Sequence, residues 1–273
     1  GVLIVLALLS VFLPVNDLNI AGMTMSVYNL ISQYILIIGS IVALVFLAVA
    51  GNEKRAAAGL TRQNWKSAVL IVLAFVGIYI VRTVVSVAVQ GVSDGSGMQY
   101  VKEWAAMFKN PMMWLNIAAL PINYFFVFIA FFGEEYGWRY YLQPVLQKRF
   151  GLRAGVIILG VVWGLWHIPD DLFYYTQTSG IQMIFAQQIT CISLGIFFAY
   201  AYMKTQNIWV PVCLHYLNNN LIPIISGTFS ADVLENQTVS WKDLPVALVL
   251  NGLCFGFFLL ADVFKKKEVQ EEE

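Results

Sequence analysis

Charge is scarce in this chain. Lys, Arg, Asp and Glu make up 12% of its 273 residues, where a soluble domain carries roughly 25%. Hydrophobic residues reach 59% and mean hydropathy is +0.72. That balance, with apolar runs of membrane-crossing length, excludes an ordinary soluble domain and implies an integral membrane protein. Short segments of alternating polarity are missing as well, which excludes a transmembrane β-barrel and leaves a bundle of helices. There is no net charge, hence no electrostatic signature of a nucleic-acid partner. Disulfides and thiolate metal sites are not expected either. Cys191, Cys213 and Cys254 are odd in number, lie within apolar runs and lack ligand spacing, so they read as small buried apolar residues. The chain opens on Gly1 rather than Met, so upstream residues are expected, and no cleavable signal peptide is read from what is present.

Eight apolar segments are present, at 2–13, 27–50, 68–89, 113–133, 154–174, 182–203, 208–227 and 244–264. The expectation is an all-α bundle of about eight transmembrane helices around a central polar cavity. The first segment is shorter than the about 20 residues that cross a bilayer core. The fourth has two readings because Pro121 interrupts it. Either the polar stretch 134–149 continues its helix, or a short interfacial helix ends near Pro121 and a new one begins. No internal repeat and no long linker divides the chain, so residues 1–273 are read as one domain with its motif-bearing core at about 113–227.

The connections differ in charge. Lys54, Arg55, Arg62 and Lys66 lie in the second, Lys148, Arg149 and Arg153 in the fourth, and Lys204 in the sixth, while Lys265, Lys266 and Lys267 follow the last segment. The intervening connections hold only Lys102, Lys109 and Lys242, beside Asp17, Asp94, Asp232, Glu235 and Asp243. Loops rich in Lys and Arg face the cytoplasm, so both termini are expected there, in a multi-pass protein of a prokaryotic cell membrane (the ER membrane in a eukaryote). The tail "KKKEVQEEE" reads as a solvated end with a headgroup anchor.

A few polar residues remain inside the helices. Glu134 lies 14 residues before Lys148, His167 lies 14 after Arg153, and His215 and Asn219 lie 11 and 15 after Lys204. At a rise of 1.5 Å per residue these positions fall roughly 15–25 Å from the basic loops, so the four can meet in one layer approached from the cytoplasmic side. His215 and Asn219 share a helical face at i and i+4, and so do Glu135 and Arg139, with the acid in the favourable N-terminal position. Pairing Glu135 with Arg139 leaves Glu134 as a general base, while His and Asn side chains can donate to an oxyanion.

Each group also has a structural reading. An intramembrane His or Asn, including Asn218 and Asn220, can simply join helices. Glu135–Arg139 alone is an ordinary ion pair. Asp170 and Asp171 are read as lying at the outer interface, with Pro169 kinking or capping the helix end. Arg82 has several readings: pairing with a carboxylate, snorkelling, or lining a path. "WRYY" and "LFYY" read as belts or packing. Convergence of four residues at one depth favours a site.

At these residues the chain resembles the CPBP family of intramembrane endopeptidases, which includes the CAAX prenyl endopeptidases and bacterial Abi proteins. "EEYGWR" resembles its Glu-Glu-x-x-x-Arg motif through Glu134, Glu135 and Arg139. "WGLWHIP" is similar to Phe-x-x-x-His, with Trp163 at the aromatic position before His167, and "HYLNN" to His-x-x-x-Asn through His215 and Asn219. The motifs occur in family order over residues 134 to 219. The resemblance implies a cavity open to cytoplasm and membrane, and cleavage of membrane-bound or lipidated peptides within the lipid bilayer. It implies that Glu134 activates water, His167 positions it or shuttles protons, His215 and Asn219 form the oxyanion hole, and Glu135 and Arg139 support them. No cofactor is expected. A Zn-dependent version would use Glu134, His167 and His215 as ligands, although His-Glu-x-x-His is absent. Two other classes use the same polar layer: a transporter with a proton or solute path, and a non-catalytic immunity scaffold.

Overall fold

The computed structural model describes residues 27–60, 63–93, 95–226 and 236–265, with scattered positions before residue 27. Most of the first apolar segment and the tail beyond Lys265 lie outside the described residues, as do Asp17, Arg62, Asp94, Asp232 and Glu235. A short antiparallel pair, β1 (Leu18–Ile20) and β2 (Met23–Met25), precedes the helices. Everything else regular among the described residues is helical.

The helices follow the apolar runs. They are α1 (Val27–Val49), α2 (Asn52–Ala57), α3 (Trp65–Ser93), α4 (Gln99–Met107) and α5 (Pro111–Glu135). A π-helix, Tyr136–Leu142, continues α5 into α6 (Gln143–Phe150). Then come α7 (Leu152–Trp166), α8 (Ile168–Phe173), α9 (Gly180–Thr205), α10 (Trp209–Ser226) and α11 (Asp243–Cys254). Among the described residues, four stretches are long and apolar enough to cross a membrane: Trp65–Ser93, Pro111–Phe150, Leu152–Phe173 and Gly180–Thr205. This is an integral, multi-pass helical protein.

Of the two readings of the fourth segment the first holds: Pro121 does not end a helix, because α5 runs through it and on through the π segment. Next to it the helix is tied to α10, where the Tyr216 hydroxyl donates to the Leu120 carbonyl at 2.7 Å. The last apolar run is helical only to Cys254, then turns through two 3₁₀ pieces, Gly256–Leu260 and Asp262–Phe264. Phe255 at that turn is fully buried against Phe75, Tyr79 and Phe197. Asp170 and Asp171 part company: Asp170 is half-buried and Asp171 is fully buried. The chain breaks at His167, and Pro169 occupies the first turn of α8, which folds Asp171 into the interior.

Two devices place the helices that carry the polar residues. Gln206 takes the left-handed conformation (φ 50°) and stops α9, and the Asn207 side chain then accepts from the Trp209 amide at 3.0 Å to start α10. Asn207 also donates to the Gln63 carbonyl, and Asn64 donates to the Thr205 carbonyl, both at 3.0 Å, tying the start of α3 to this turn. The second device is the approach of α7 to α9 at Gly160. A Cβ there would stand 2.6 Å from the Ile192 Cα, so only glycine permits the spacing. Gly160→Ala is expected to lower stability by about 1–3 kcal/mol. Gly252→Ala, with open space around its Cβ position, is the control, and thermal unfolding in detergent compares the two.

Candidate active site

The C-terminal end of α5 delivers two adjacent carboxylates into different surroundings. Glu135 is fully buried. One of its oxygens accepts from Arg139 Nε at 2.8 Å, and the other lies 2.9 Å from His215 Nδ1 on α10. Arg139, equally buried, also donates through Nη1 to the Gly195 carbonyl of α9 at 3.3 Å. Its guanidinium lies over the rings of Trp163 and Phe198, at 5.3 and 5.5 Å. Glu135 therefore pairs with Arg139, as its spacing predicts, and in addition holds a histidine that the sequence did not attach to it.

This contact constrains His215. The carboxylate accepts a hydrogen bond from Nδ1–H, so Nε2 is the nitrogen left for chemistry. A neutral ring presents Nε2 as an acceptor; an imidazolium presents an Nε2–H donor. Phe131 and Trp163 meet the ring edge-on, at 5.2 and 5.4 Å between centroids, and fix its plane.

His215, His167 and Asn219 line one cavity of about 310 Å³, shared with Thr190, Gln187 and Asn218. His167 stands at the break between α7 and α8, its Nδ1 3.9 Å from an Asp170 carboxylate oxygen. Asp170 was missed as a neighbour of the site, although its i+3 spacing from His167 is readable. Asn219 is exposed toward solvent space, and its Oδ1 accepts from Asn218 Nδ2 at 2.9 Å.

Glu134 is placed differently. It contributes to the wall of a second, apolar cleft of about 420 Å³ between α1 and the π segment, with Ser40, Gly133, Gly137, Trp138 and Trp166. Three of the four expected residues line the polar cavity, and Glu134, on the wall of the neighbouring cleft, stays within electrostatic reach of His215 and Asp170. Among the described residues no three His, Cys, Asp or Glu side chains are grouped to hold a metal ion.

The other intramembrane polar groups find structural partners. Arg82 Nε donates to Asn251 Oδ1 at 2.7 Å, and Asn123 to Asn220 at 3.3 Å. Tyr136 and Tyr140 stack on each other and donate to the carbonyls of Ala58 and Ala57.

Removing one partner of a buried ion pair strands the other, at a cost of about 3–5 kcal/mol. Glu135→Gln is therefore expected to lower the melting temperature in detergent strongly, while Glu134→Gln leaves it near that of the wild type.

Comparison with known proteins bears on the same region. A model of Rce1-like type II CAAX prenyl endopeptidases matches residues 116–221, a span holding all three motifs. A CAAX prenyl protease 2 of Methanococcus maripaludis is 27% identical over 125 residues, 42% of this chain and 45% of that protein. The chain thus matches somewhat less than half the length of this curated relative. No solved structure matches significantly. Motif order, family model and relative agree on the same region, and over its motif-bearing core the chain is similar to the CAAX prenyl endopeptidases.

Proposed function

We propose that this protein is an intramembrane endopeptidase that hydrolyses peptide bonds of membrane-associated or lipidated peptides. The observation that carries the reading is the buried Glu135–His215 contact, which aims one imidazole nitrogen into a polar cavity shared with His167 and Asn219. Glu134, on the adjoining wall, takes a proton from water as the oxygen attacks the peptide carbonyl. The carbonyl oxygen gains charge and accepts hydrogen bonds from Asn219 Nδ2 and from His215 Nε2–H. Glu135, itself an anion, stabilises the imidazolium form of His215 that this donation requires. The proton held by Glu134 passes to the departing amine as the C–N bond breaks, with His167 positioning the water or relaying the proton.

A metal-free mechanism is the preferred version. Its support is the missing His-Glu-x-x-His sequence, together with the finding that among the described residues no three His, Cys, Asp or Glu side chains are grouped as ligands. Activity is accordingly expected to persist in the presence of chelators. The remaining parts of the proposal concern setting. They are a bundle of about eight spans, a cavity opening to the cytoplasm, both termini on that side, and a prokaryotic cell membrane. The alternation of basic and acidic connections along the sequence supports them.

The test uses purified protein in liposomes with a lipidated peptide carrying a quenched fluorophore, the products being identified by mass spectrometry. Glu134→Gln is expected to reduce turnover by about a hundredfold or more while leaving the folded fraction unchanged. Undiminished cleavage in that variant overturns the glutamate mechanism. Flux of protons or solute that depends on Glu134, without cleavage, would favour a transporter instead.

A further inference from the structure

Helix α3 lies outside the region matched by the family model, yet one of its side chains reaches the cavity through an intermediary. Tyr79 is buried, with its ring packed 5.0 Å from both Phe75 and Phe255. Its hydroxyl donates to Asn218 Oδ1. The Asn218 amide then has its nitrogen on the other side, and that nitrogen donates to Asn219 Oδ1 at 2.9 Å. With its oxygen occupied, Asn219 has its NH2 group left for the cavity it lines with His215 and His167.

The direction of this chain of hydrogen bonds is not arbitrary. An amide can turn over and exchange its oxygen for its nitrogen at little steric cost. If Asn218 turned over, its nitrogen would donate to the Tyr79 oxygen and its oxygen would accept from Asn219. Asn219 would then show a carbonyl oxygen to the cavity, which repels an oxyanion. Turning over would also strip the Tyr79 O–H of its only acceptor among the described residues, and a buried donor without a partner is costly. The phenol proton therefore sets the polarity of both amides.

We propose that Tyr79 is a positioning residue that, through Asn218, holds Asn219 with its NH2 rather than its carbonyl facing the cavity. This rests on the reading of Asn219 as an oxyanion donor. Arg82 braces the position: its guanidinium lies 5.8 Å from the Tyr79 ring centroid and is anchored by Asn251.

Tyr79→Phe keeps the ring and its packing and removes only the hydroxyl. Its kcat on the liposome peptide is expected to fall between about tenfold and a hundredfold, with KM and melting temperature close to wild type. Asn218→Asp, equal in size but unable to donate to Asn219, is expected to show the same loss. In an Asn219→Ala background, Tyr79→Phe should cause no further loss, because the group it orients is gone. Equal fractional losses in both backgrounds, unchanged kcat, or a fall in kcat matched by a fall in folded fraction would overturn the inference. Failure of the underlying reading looks different: Asn219→Ala alone would then leave kcat unchanged, or Glu134→Gln would remain active.

Discussion

The Glu135 carboxylate is the hinge of the site. Its two oxygens hold Arg139 at 2.8 Å and His215 at 2.9 Å in a place without solvent access. A charge removed from water must be matched in position as well as in sign. That requirement fixes α5 against α10 and, through the Arg139 bond to Gly195, against α9. The ion pair is thereby a ruler for the cavity: moving any of the three helices away would leave a buried charge unanswered.

Aromatic rings surround this polar centre. Trp163 and Phe198 cover the guanidinium, while Phe131 and Trp163 meet His215 edge-on. Rings exclude water without competing for hydrogen bonds, so each polar contact they enclose is stronger than it would be in solvent. The three-residue face of the cavity is in this sense built from the outside inward. Apolar runs give the helices, glycine at position 160 lets α7 and α9 close, and the closed shell makes the few polar contacts directional.

Much of this was readable before any coordinates. The helical class follows from composition, and counting residues from the basic connections brings His167, His215 and Asn219 near one depth, where they do share a cavity. The Glu135–Arg139 pair follows from i, i+4 spacing. What could not be read depends on rotation and on contacts between distant segments. Which of two adjacent glutamates turns toward His215 is decided by helix phase, and the partners Tyr79 and Asn218 are 139 positions apart. Pro121 and Pro169 illustrate the same limit from the other side. One lies inside a continuous helix and the other opens a new one, and only the neighbouring helices decide between those outcomes.

The π segment Tyr136–Leu142 has a consequence for reading this region by pattern. A wider turn advances each residue through a smaller angle than an α-helix does, so the helical wheel that describes Pro111–Glu135 falls out of phase with the one that describes Gln143–Phe150. Gln143, a polar residue, is buried just beyond the change, as a residue displaced from the face its position implies can be. The segment acts as an inserted beat in the rhythm of one long helix. Loss or gain of a single residue within it would restore or deepen the offset, and so change which side chains of the distal half look inward.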